Sequence, residues 1–489
     1  MLDAPATDDE TEAIAETVGR WADQRIHPLA LDRAHHIPVG LLHEMGEMGL
    51  FGLTLPESHG GSGLGLSAAA AVIERLARRD RSVATTLGLH LGLGTRGLVR
   101  YGTPAQLERW VPTLSTGKTI AAFATTEPDS GSDLSALRTT IGPHDDGLSV
   151  RGNKIFVTNG ALATLYTVSG RSPELGGARR GQSLVLLSRA DAGLVIGAEE
   201  VKLGLRASST TTLDLDDMAV PMDRLLGVAG TGAEMLRHIL SWGRTVMAAG
   251  CVGTAAAALA ATRAHTEQRV QFGKPLVRLA VVREQLADMA AITFAAGALV
   301  HDASRDEAQL EISSLSAKVF ASEAAGEVCD LALQLHGGYG FIEETGIALL
   351  VRDTRITRIF EGANDVLRIH RGLFAAVTES AAAPHPEVAS EAWARAARVR
   401  TASSRAVRQA KERLGLRLGG DHRVLHALGA RAILADVTEA AVRRAAREGT
   451  PAAAALAARW TDIAASRISA IDSREPDTSQ SEHCLEWTP

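Results

Sequence analysis

Four segments of the chain carry the residue types that chemistry needs. The first, residues 123–133, runs from an apolar strand end into a turn rich in hydroxyls and glycine. Backbone N–H groups and hydroxyls in such a turn can hold a phosphate or a flavin, although the same composition also suits an ordinary turn. The second, residues 154–160, places Phe156 and Thr158 two positions apart in a β-type run, so both side chains project to one face. Taken alone, this segment is also typical of a core strand.

Two further segments combine glycines with polar side chains. Residues 269–275 end a helical pattern, because Gly273 and Pro275 stop the helix and cationic side chains suit the negative end of its dipole. That helix end does not explain the Arg-Gln-Phe cluster in the same segment. Residues 334–340 form a glycine-rich surface that another group can approach closely. Both segments are therefore candidates for contact with a ligand.

The most specific residue is Glu361, an isolated carboxylate between Phe360 and Gly362. A carboxylate in an apolar, water-poor pocket has its pKa raised toward neutral pH. Such a group can remove a proton from carbon as a general base. The segment that ends on Glu361 therefore predicts acid–base chemistry at a buried site.

A dinucleotide fingerprint, G-x-G-x-x-G, is matched letter for letter at residues 92–97. The fingerprint requires a buried strand before it, a helix after it and an acidic residue about 20 positions further on. Here helical sequence precedes the glycines, and Gly117 and Lys118 lie at that distance. We therefore interpret these glycines as sites of close helix packing.

Helical and β-type patterns divide the chain into four parts. Apolar residues at helical spacing predict an N-terminal helical domain over residues 1–118. Short β-type runs between Gly, Asp and Pro clusters predict a compact β domain over residues 119–230. Helical patterns return over residues 231–380, and after a Pro-containing linker a helical extension with a disordered end covers residues 381–489. The helices predicted in these last two parts include 244–271, 309–335, 387–416, 422–447 and 452–471.

Composition disfavours several classes of protein. The formal net charge is only -6, and basic residues are mixed with acidic ones, so nucleic acid is a poor partner. The three cysteines lie far apart with no metal-ligand spacing, which predicts reduced thiols in the cytoplasm and no metal site. Residues 1–10 are acidic and polar, so no secretory signal is predicted. The apolar run 245–262 is mostly Ala and Gly and is typical of a buried helix.

Taken together, these motifs resemble the acyl-CoA dehydrogenase family, colinearly over about three quarters of the chain. The resemblance implies a mostly α fold with a central β domain. Its parts are an N-terminal helical domain, a β barrel-like middle domain and a C-terminal four-helix bundle, followed here by a helical extension. It also implies FAD held between domains and across a subunit interface, hence a homodimer or homotetramer. The motifs are Thr126-Glu127-Pro128, Gly131-Ser132-Asp133, Phe156-Val157-Thr158-Asn159, Arg269 with Gln271-Phe272-Gly273, Gln334 with Gly337-Gly338, and residues 355–362.

The resemblance also implies roles for individual residues. Glu361 matches the base that removes the α-proton of an acyl thioester, in the FAD-dependent conversion of acyl-CoA to trans-2-enoyl-CoA. Contacts with the substrate are implied for Ser132, Gly243, Arg244 and Gly362. Contacts with FAD are implied for Phe123, Thr126, Ser132, Phe156, Thr158, Arg269, Phe272, Gln334, Gly337 and Gly338, the last five partly from a neighbouring subunit.

An alternative position for the base can be tested within the sequence. Relatives whose base lies elsewhere carry it immediately before the residue that matches Arg244. Here that position is Gly243, which carries no acid and is expected to leave space for an acyl chain. Glu361 is therefore the one base candidate that fits the resemblance.

Several functional features stay open at the level of sequence. Ala363 replaces a threonine of many relatives, which removes one implied FAD contact. The sequence of residues 360–365 resembles that of the very-long-chain branch, whose C-terminal extension supports dimers and membrane association. Here the arginine-rich helix at 398–417 suits a peripheral membrane contact, a subunit interface or a solvated face. The electron acceptor is electron-transfer flavoprotein or, in an oxidase, oxygen. A desaturase that acts on acyl-carrier-protein thioesters and a monooxygenase of the same fold are further alternatives.

Overall fold

The computed structural model describes residues 8–175, 181–378 and 391–472. Its first part is helical, as the periodicity predicts, and α7 begins with a capping box in which Thr103 and Gln106 bond each other's backbone N–H groups. A π-helical turn, His90–Gly94, lies between α5 and α6. The helices are α1 (Asp8–Arg25), α2 (Pro28–Ala34), α3 (Val39–Glu47), α4 (Leu66–Arg79), α5 (Arg81–Leu89), α6 (Thr95–Tyr101) and α7 (Pro104–Ser115).

The glycines of the dinucleotide-like segment pack between elements. They lie in the π-helical turn and in α6, and helix α5 precedes them. A β-carbon on Gly94 would lie 2.9 Å from the side chain of Ala121, and one on Gly97 would lie 3.1 Å from that of Ile239. The interpretation as helix-packing glycines is therefore confirmed for Gly97, which faces Ile239 of the helix Gly232–Gln268, while Gly94 packs against the strand that begins at Ala121.

The middle part is a sheet whose described strands follow the order β6-β7-β3-β2-β4-β5-β8, with β1 paired to β4. Most pairs are antiparallel, but β1 and β2 run parallel to β4. The face that packs in the core is apolar, and Val150, Val168 and Val185 are fully buried there. The strands are β1 (Ala121–Ala124), β2 (Thr140–His144), β3 (Gly147–Thr158), β4 (Leu165–Arg171), β5 (Gln182–Ser188), β6 (Leu194–Ile196), β7 (Thr210–Pro221) and β8 (Leu225–Leu226).

Long helices follow the sheet. The expected helix at 244–271 is in fact α8 (Gly232–Gln268), which begins twelve residues earlier than predicted. It ends before a small hairpin, β9 (Val270–Gln271) and β10 (Lys274–Pro275), because Phe272 and Gly273 adopt φ of 54° and 74° in the turn. The remaining helices of this part are α9 (Ala280–Arg305), α10 (Leu310–His336), α11 (Gly338–Phe341) and α12 (Ile347–Arg355).

Two helices, Gly232–Gln268 and Ala280–Arg305, are long and apolar enough to cross a membrane by length and composition alone. However, 72% and 61% of their most apolar windows are buried within the described structure. The apolar run 245–262 lies inside the first of these helices, as the sequence predicts for a buried core helix.

The C-terminal part is helical, and its boundaries follow cap chemistry. Asp421 accepts a hydrogen bond from the Val424 N–H at the start of α15, and Gly449 ends that helix in the left-handed conformation with φ of 63°. The helices are α13 (Asn364–Thr378), α14 (Glu391–Leu414), α15 (His422–Glu448) and α16 (Pro451–Asp472). The predicted linker at 381–386, the predicted disordered end and Cys484 lie outside the described residues.

By its internal contacts the chain forms two compact units. One comprises Met1–Met289 with Val300–Asn364, and the other comprises Ala290–Leu299 with Asp365–Pro489, each over its described residues. The predicted fold class, mostly α with a central β domain and extra C-terminal helices, is confirmed. The four domain boundaries stay a prediction.

Candidate active site

Glu361 lies in a strained turn that a half-buried arginine and a buried lysine hold in place. Its φ is 54° and that of Gly362 is 102°, and a non-glycine residue adopts the first value only where its surroundings enforce it. Arg244 Nε on α8 donates to the Glu361 carbonyl at 3.0 Å, and Lys318 Nζ on α10 donates to the Gly362 carbonyl at 2.7 Å. Lys318 Nζ also donates to Asn364 Oδ1 at 2.8 Å. The backbone that carries the carboxylate is therefore fixed at two successive carbonyl groups.

Within residues 8–175, 181–378 and 391–472, no donor bonds the inner oxygen of this carboxylate. Glu361 as a whole keeps some exposure, but its Oε2 is buried and unpartnered. Burial raises the pKa of Glu361 to about 7, although the charges of Lys318, Arg244 and Arg81 oppose that rise. A carboxyl group that titrates near neutral pH, with an oxygen free to accept a proton, is suited to act as a general base.

Gly243 on α8 faces this carboxylate. A β-carbon placed on Gly243 would lie 3.0 Å from Glu361 Oε2 and 2.3 Å from Leu93 Cδ2. The sequence predicts open space for an acyl chain at this glycine, but in the structure Leu93 occupies that space. The missing β-carbon instead lets Leu93 and Glu361 approach α8 closely. Leu93 therefore bounds the site beside the base, a role that its sequence context does not indicate.

Leu93 belongs to the π-helical turn, which a buried histidine anchors. His90 Nδ1 accepts from the Ala121 N–H at 3.1 Å, so the proton lies on Nε2, which donates to the Phe51 carbonyl at 3.1 Å. Burial lowers the pKa of His90 to about 4, so the ring is neutral. π-Helical turns are frequent at functional sites. In sequence His90 is an isolated histidine, and no spacing signals this function.

The predicted flavin contacts of the middle part lie around the ends of β1 and β3. Phe123 is buried in β1, Thr126 is half-buried just beyond that strand, and Ser132 is exposed in the following turn. The Ile155 N–H donates to the Thr126 carbonyl at 2.9 Å, which joins this turn to β3. The structure thus brings the first two predicted segments together.

A β-bulge in β3 turns Phe156 out of the core. The register between β3 and β7 shifts between Lys154 and Val157, and Phe156 has a φ of 55°. Phe156 is 63% exposed, although Lys154 two residues earlier is fully buried. Thr158, after the bulge, is half-buried. An exposed phenyl ring beside a hydroxyl is the arrangement expected for contact with a planar aromatic ligand.

A buried ion pair between β3 and the Thr126-Glu127-Pro128 turn holds that turn in place. Lys154 Nζ donates to Glu127 Oε1 at 2.7 Å and to the Thr125 carbonyl at 3.1 Å. Burial acts against the charge of Glu127, but hydrogen bonds from Lys154, Thr139 and the Arg138 N–H hold its pKa below the usual range. The pair therefore fixes the Thr-Glu-Pro turn onto β3.

We expect Lys154→Met to destabilise the protein by about 3–5 kcal/mol, because it leaves the Glu127 carboxylate buried without its cation. The measurement is the midpoint of thermal unfolding. Lys154→Met combined with Glu127→Leu should recover part of the loss. Arg263→Met, in the exposed pair Arg263–Glu267, is the matched control and should cost less than about 1 kcal/mol. If Lys154→Met and Arg263→Met destabilised the protein equally, the buried pair would have no special role in stability.

Four of the five remaining predicted contacts line one groove at the end of α8 and α10. Arg269, Gln334, Gly337 and Gly338 border a groove of about 460 Å³, together with His265, Gln271, Leu276, Leu335, His336, Tyr339 and Ile342. The Arg269 guanidinium lies 5.6 Å from the centre of the Tyr339 ring. Phe272, in contrast, lies at the tip of the hairpin and is 87% exposed. The groove therefore gathers four of the five residues expected to meet the nucleotide end of a cofactor.

Family models for acyl-CoA dehydrogenase match residues 8–118 (N-terminal domain), 122–218 (middle domain) and 230–373 (C-terminal domain). The chain is 34% identical over 366 residues to the very long-chain specific acyl-CoA dehydrogenase, mitochondrial, of Homo sapiens, which covers 73% of this chain and 56% of that protein. It is 35% identical over 370 residues to an acyl-CoA dehydrogenase of Bacillus subtilis, covering 74% of this chain and 96% of that protein. The crystal structure of an acyl-CoA dehydrogenase complexed with FAD from Bacillus anthracis matches with a TM-score of 0.86 and 28% identity, over 95% of this chain and 88% of that one.

Proposed function

The chain belongs to the acyl-CoA dehydrogenase family, and we propose that it is an FAD-dependent enzyme that converts an acyl-CoA thioester into its trans-2-enoyl-CoA. The observation that carries the proposal is the buried, unpartnered carboxylate oxygen of Glu361, in a turn held by Arg244 and Lys318. A carboxylate fixed in this way is suited to remove the α-proton of a thioester. Glu361 as the base is part of the proposal.

The described residues fit FAD at two places. At the groove, φ at Gly337 is 60°, and β-carbons on Gly337 and Gly338 would meet no atom within 4 Å, so the backbone is open to a phosphate. The guanidinium of Arg269 stands at the same groove and forms no ion pair among the described residues, which suits a pyrophosphate. On β3, exposed Phe156 and half-buried Thr158 offer an aromatic face and a hydroxyl to the flavin ring.

In the proposed reaction the protein holds and moves a proton. Glu361 Oε2 accepts the α-proton, and its lack of a competing donor leaves the oxygen available. Arg244 and Lys318 prevent the turn from shifting as the carboxylate becomes neutral. We propose that the Glu361 N–H donates to the thioester oxygen, where negative charge develops. When bound, FAD would supply the acceptor for the hydride that leaves Cβ of the substrate. Leu93 and Gly243 close the site beside the base and help to exclude water.

An absorbance experiment tests the proposal. The purified protein should be yellow, and an anaerobic panel of acyl-CoA thioesters should bleach its flavin band. A protein that carries no flavin, even after incubation with FAD, would contradict the proposal. Oxygen uptake after reduction distinguishes an oxidase from a dehydrogenase that passes electrons to electron-transfer flavoprotein. Acyl-carrier-protein thioesters in the same panel test the carrier-linked alternative, and the presence of Glu361 argues against a monooxygenase that has dropped the base.

We also propose that the enzyme is a homo-oligomer, dimer or tetramer. Around the groove, large apolar side chains are exposed, and such a patch marks an interaction surface. The exposed groups are Phe272, Tyr339, Phe341 and Ile342. A second copy of the chain covering this surface would complete the nucleotide groove. The buried, unpaired thiols of Cys251 and Cys329 support a cytoplasmic protein. Membrane contact through the arginines of α14 stays a prediction.

Arg269→Ala is expected to lower FAD occupancy after gel filtration, because water does not replace the charge-assisted contacts of a guanidinium with a pyrophosphate. The ratio of flavin to protein absorbance measures this occupancy. Arg263→Ala is the control, since Arg263 lies on the last turns of the same helix and pairs with Glu267 on the surface. Full occupancy in Arg269→Ala would mean that Arg269 merely stabilises the end of α8.

A further inference from the structure

A buried arginine lies near the catalytic carboxylate and forms no ion pair among the described residues. Arg81, the first residue of α5, is 3% exposed. Its Nη2 donates to the Met247 carbonyl at 3.0 Å and lies 3.6 Å from Cys251 Sγ, while its Nε has no partner. In the part of the chain that the structure describes, no carboxylate pairs with it. A buried guanidinium that meets only neutral acceptors retains unused donors at a high desolvation cost.

Arg81 and Glu361 face the same side of α8. Gly243 and Gly250 are both on this side, because seven residues make nearly two full turns. A β-carbon on Gly243 would touch Glu361 Oε2 at 3.0 Å, and one on Gly250 would overlap Arg81 Nη1 at 1.5 Å. Two turns correspond to about 10 Å along the helix axis. The guanidinium therefore stands roughly 10 Å beyond the base along α8, a distance that a short acyl chain can span.

The α5 residues that lie between these two groups are less completely covered than their neighbours on the helix. Thr85 and Leu89 follow Arg81 at intervals of four residues, so the three side chains share one face of the helix. Thr85 and Leu89 are half-buried, whereas Val83, Thr86 and Leu87 next to them are buried. The Thr85 hydroxyl also lacks a partner. We name Arg81, Thr85 and Leu89 the distal face; it continues into Leu93, which contacts Gly243 beside the base.

Of the cations around the site, Arg81 is the one whose place the described carboxylates do not explain. Arg81, Arg244 and Lys318 all act on the carboxylate of Glu361, while Glu311 also acts on Arg244 and Glu323 on Lys318. Arg244 and Lys318 donate hydrogen bonds to the carbonyls of Glu361 and Gly362, so holding the turn accounts for their positions. Arg81 contacts nothing in that turn. Its position is explained if a bound ligand brings a second negative charge to the far end of the site.

We infer that Arg81 is a specificity-determining residue that binds a carboxylate at the distal end of the acyl chain. On this basis, and resting on the proposed function, the preferred substrates are CoA thioesters of dicarboxylic acids. The thioester end lies at Glu361, and the free carboxylate meets the unpartnered Nε of Arg81 and the hydroxyl of Thr85. A charge-assisted contact of this kind discriminates against a methyl-ended chain because the methyl group leaves the guanidinium desolvated and unpaired.

The test compares mono- and dicarboxylic acyl-CoA pairs of equal carbon number, such as hexanoyl-CoA with adipoyl-CoA and octanoyl-CoA with suberoyl-CoA. Anaerobic flavin reduction by the holoenzyme should favour the dicarboxylic member of at least one pair by about tenfold to hundredfold in kcat/KM. Arg81→Met should remove this preference, and Arg81→Lys should retain part of it. Arg78→Met, at an exposed arginine of the preceding helix, is the control and should keep the wild-type ratio.

A binding readout separates this inference from the proposed function. In the Glu361→Gln holoenzyme, which binds without turning over, adipoyl-CoA should perturb the flavin spectrum at a lower concentration than hexanoyl-CoA. Monocarboxylic substrates that match or surpass the dicarboxylic ones in every pair would overturn the role of Arg81 and leave the proposed function standing. If no thioester of the panel reduces bound flavin, the proposed function itself is wrong. Should Arg81→Met fail to fold, the wild-type ratios and Arg81→Lys still decide the question.

Discussion

Glu361→Gln should leave FAD bound and the fold intact while reducing the rate of flavin reduction by acyl-CoA by at least ~10²–10⁴-fold, the usual contribution of a general base. The amide is nearly isosteric with the carboxylate but cannot accept the α-proton. Because Arg244 and Lys318 bond the backbone carbonyls of residues 361 and 362, the substitution keeps the contacts that shape the turn. Stopped-flow absorbance under anaerobic conditions measures the effect.

The pH dependence of the wild-type reaction provides a second signature of the same residue. Burial raises the pKa of Glu361 to about 7, and only the deprotonated form is a base. The reduction rate should therefore fall about tenfold per pH unit below pH 7 and level off above it. Glu344→Gln, at an exposed carboxylate, is the control and should keep both the rate and the profile. If Glu361→Gln reduced its flavin at the wild-type rate, Glu361 would not be the base.

The raised pKa also has a consequence for stability. Between pH 4.5 and about 7 the folded protein retains a proton on Glu361 that the unfolded chain has released, so this group's contribution to stability falls as the pH rises through that range. Above pH 7 the buried charge costs at most ~3 kcal/mol. Glu361→Gln removes the cost, so the variant should melt higher than wild type at pH 8 and no higher at pH 4. If the charge of Glu361 instead stabilised the folded protein, Glu361→Gln would melt lower than wild type at pH 8.

The sequence predicts the outline of the fold correctly, and it singles out Glu361 as the candidate base, because both inferences depend on local signals. An isolated acid beside a glycine stands out in residues 352–362, and cap residues such as Asp421 and Gly449 bound the helices of the extension to within a few residues. The start of α8 is predicted too late because Ser241 and Gly243, which are poor helix formers, interrupt the pattern after a favourable run from Ala233 to Arg237. Tertiary packing, with Leu236 and Ile239 fully or almost fully buried, overrides that preference.

The parts of the site that sequence does not reveal are made by pairs of distant elements. Lys318 and Gly362 are 44 residues apart, and Arg81 and Met247 are 166 apart, so neither contact has a local pattern. The direction of Phe156 depends on a β-bulge, whereas strict alternation along β3 would place it on the same side as the buried Lys154. Isolated His90 and Leu93 gain their positions from a π-helical turn, which no periodicity argument anticipates.

The C-terminal helices form much of one compact unit, and their packing predicts what their removal will do. Within that unit α13 crosses α15 at very short range, since β-carbons on Gly372 and Gly429 would each lie 1.9 Å from a carbonyl oxygen of the other helix. Arg371 on α13 is 5% exposed and bonds Asp436 on α15 at 3.0 Å. The apolar side of α13 packs in a cluster that includes Ala375, Val407, Leu425 and Leu428.

Deleting residues 384–489 should therefore expose the apolar side of α13 and leave Arg371 without its carboxylate, so the truncated protein should aggregate or change its oligomeric state. Light scattering after gel filtration measures this. Flavin reduction per folded, flavin-loaded site should survive, because Glu361, Gly243, Arg244 and Lys318 all belong to the other compact unit. Deleting only residues 473–489, which leaves α16 whole, is the control and should change neither the assembly nor the flavin reduction. An unchanged assembly with lost turnover would mean that the extension takes part in the reaction instead of supporting the protein's assembly.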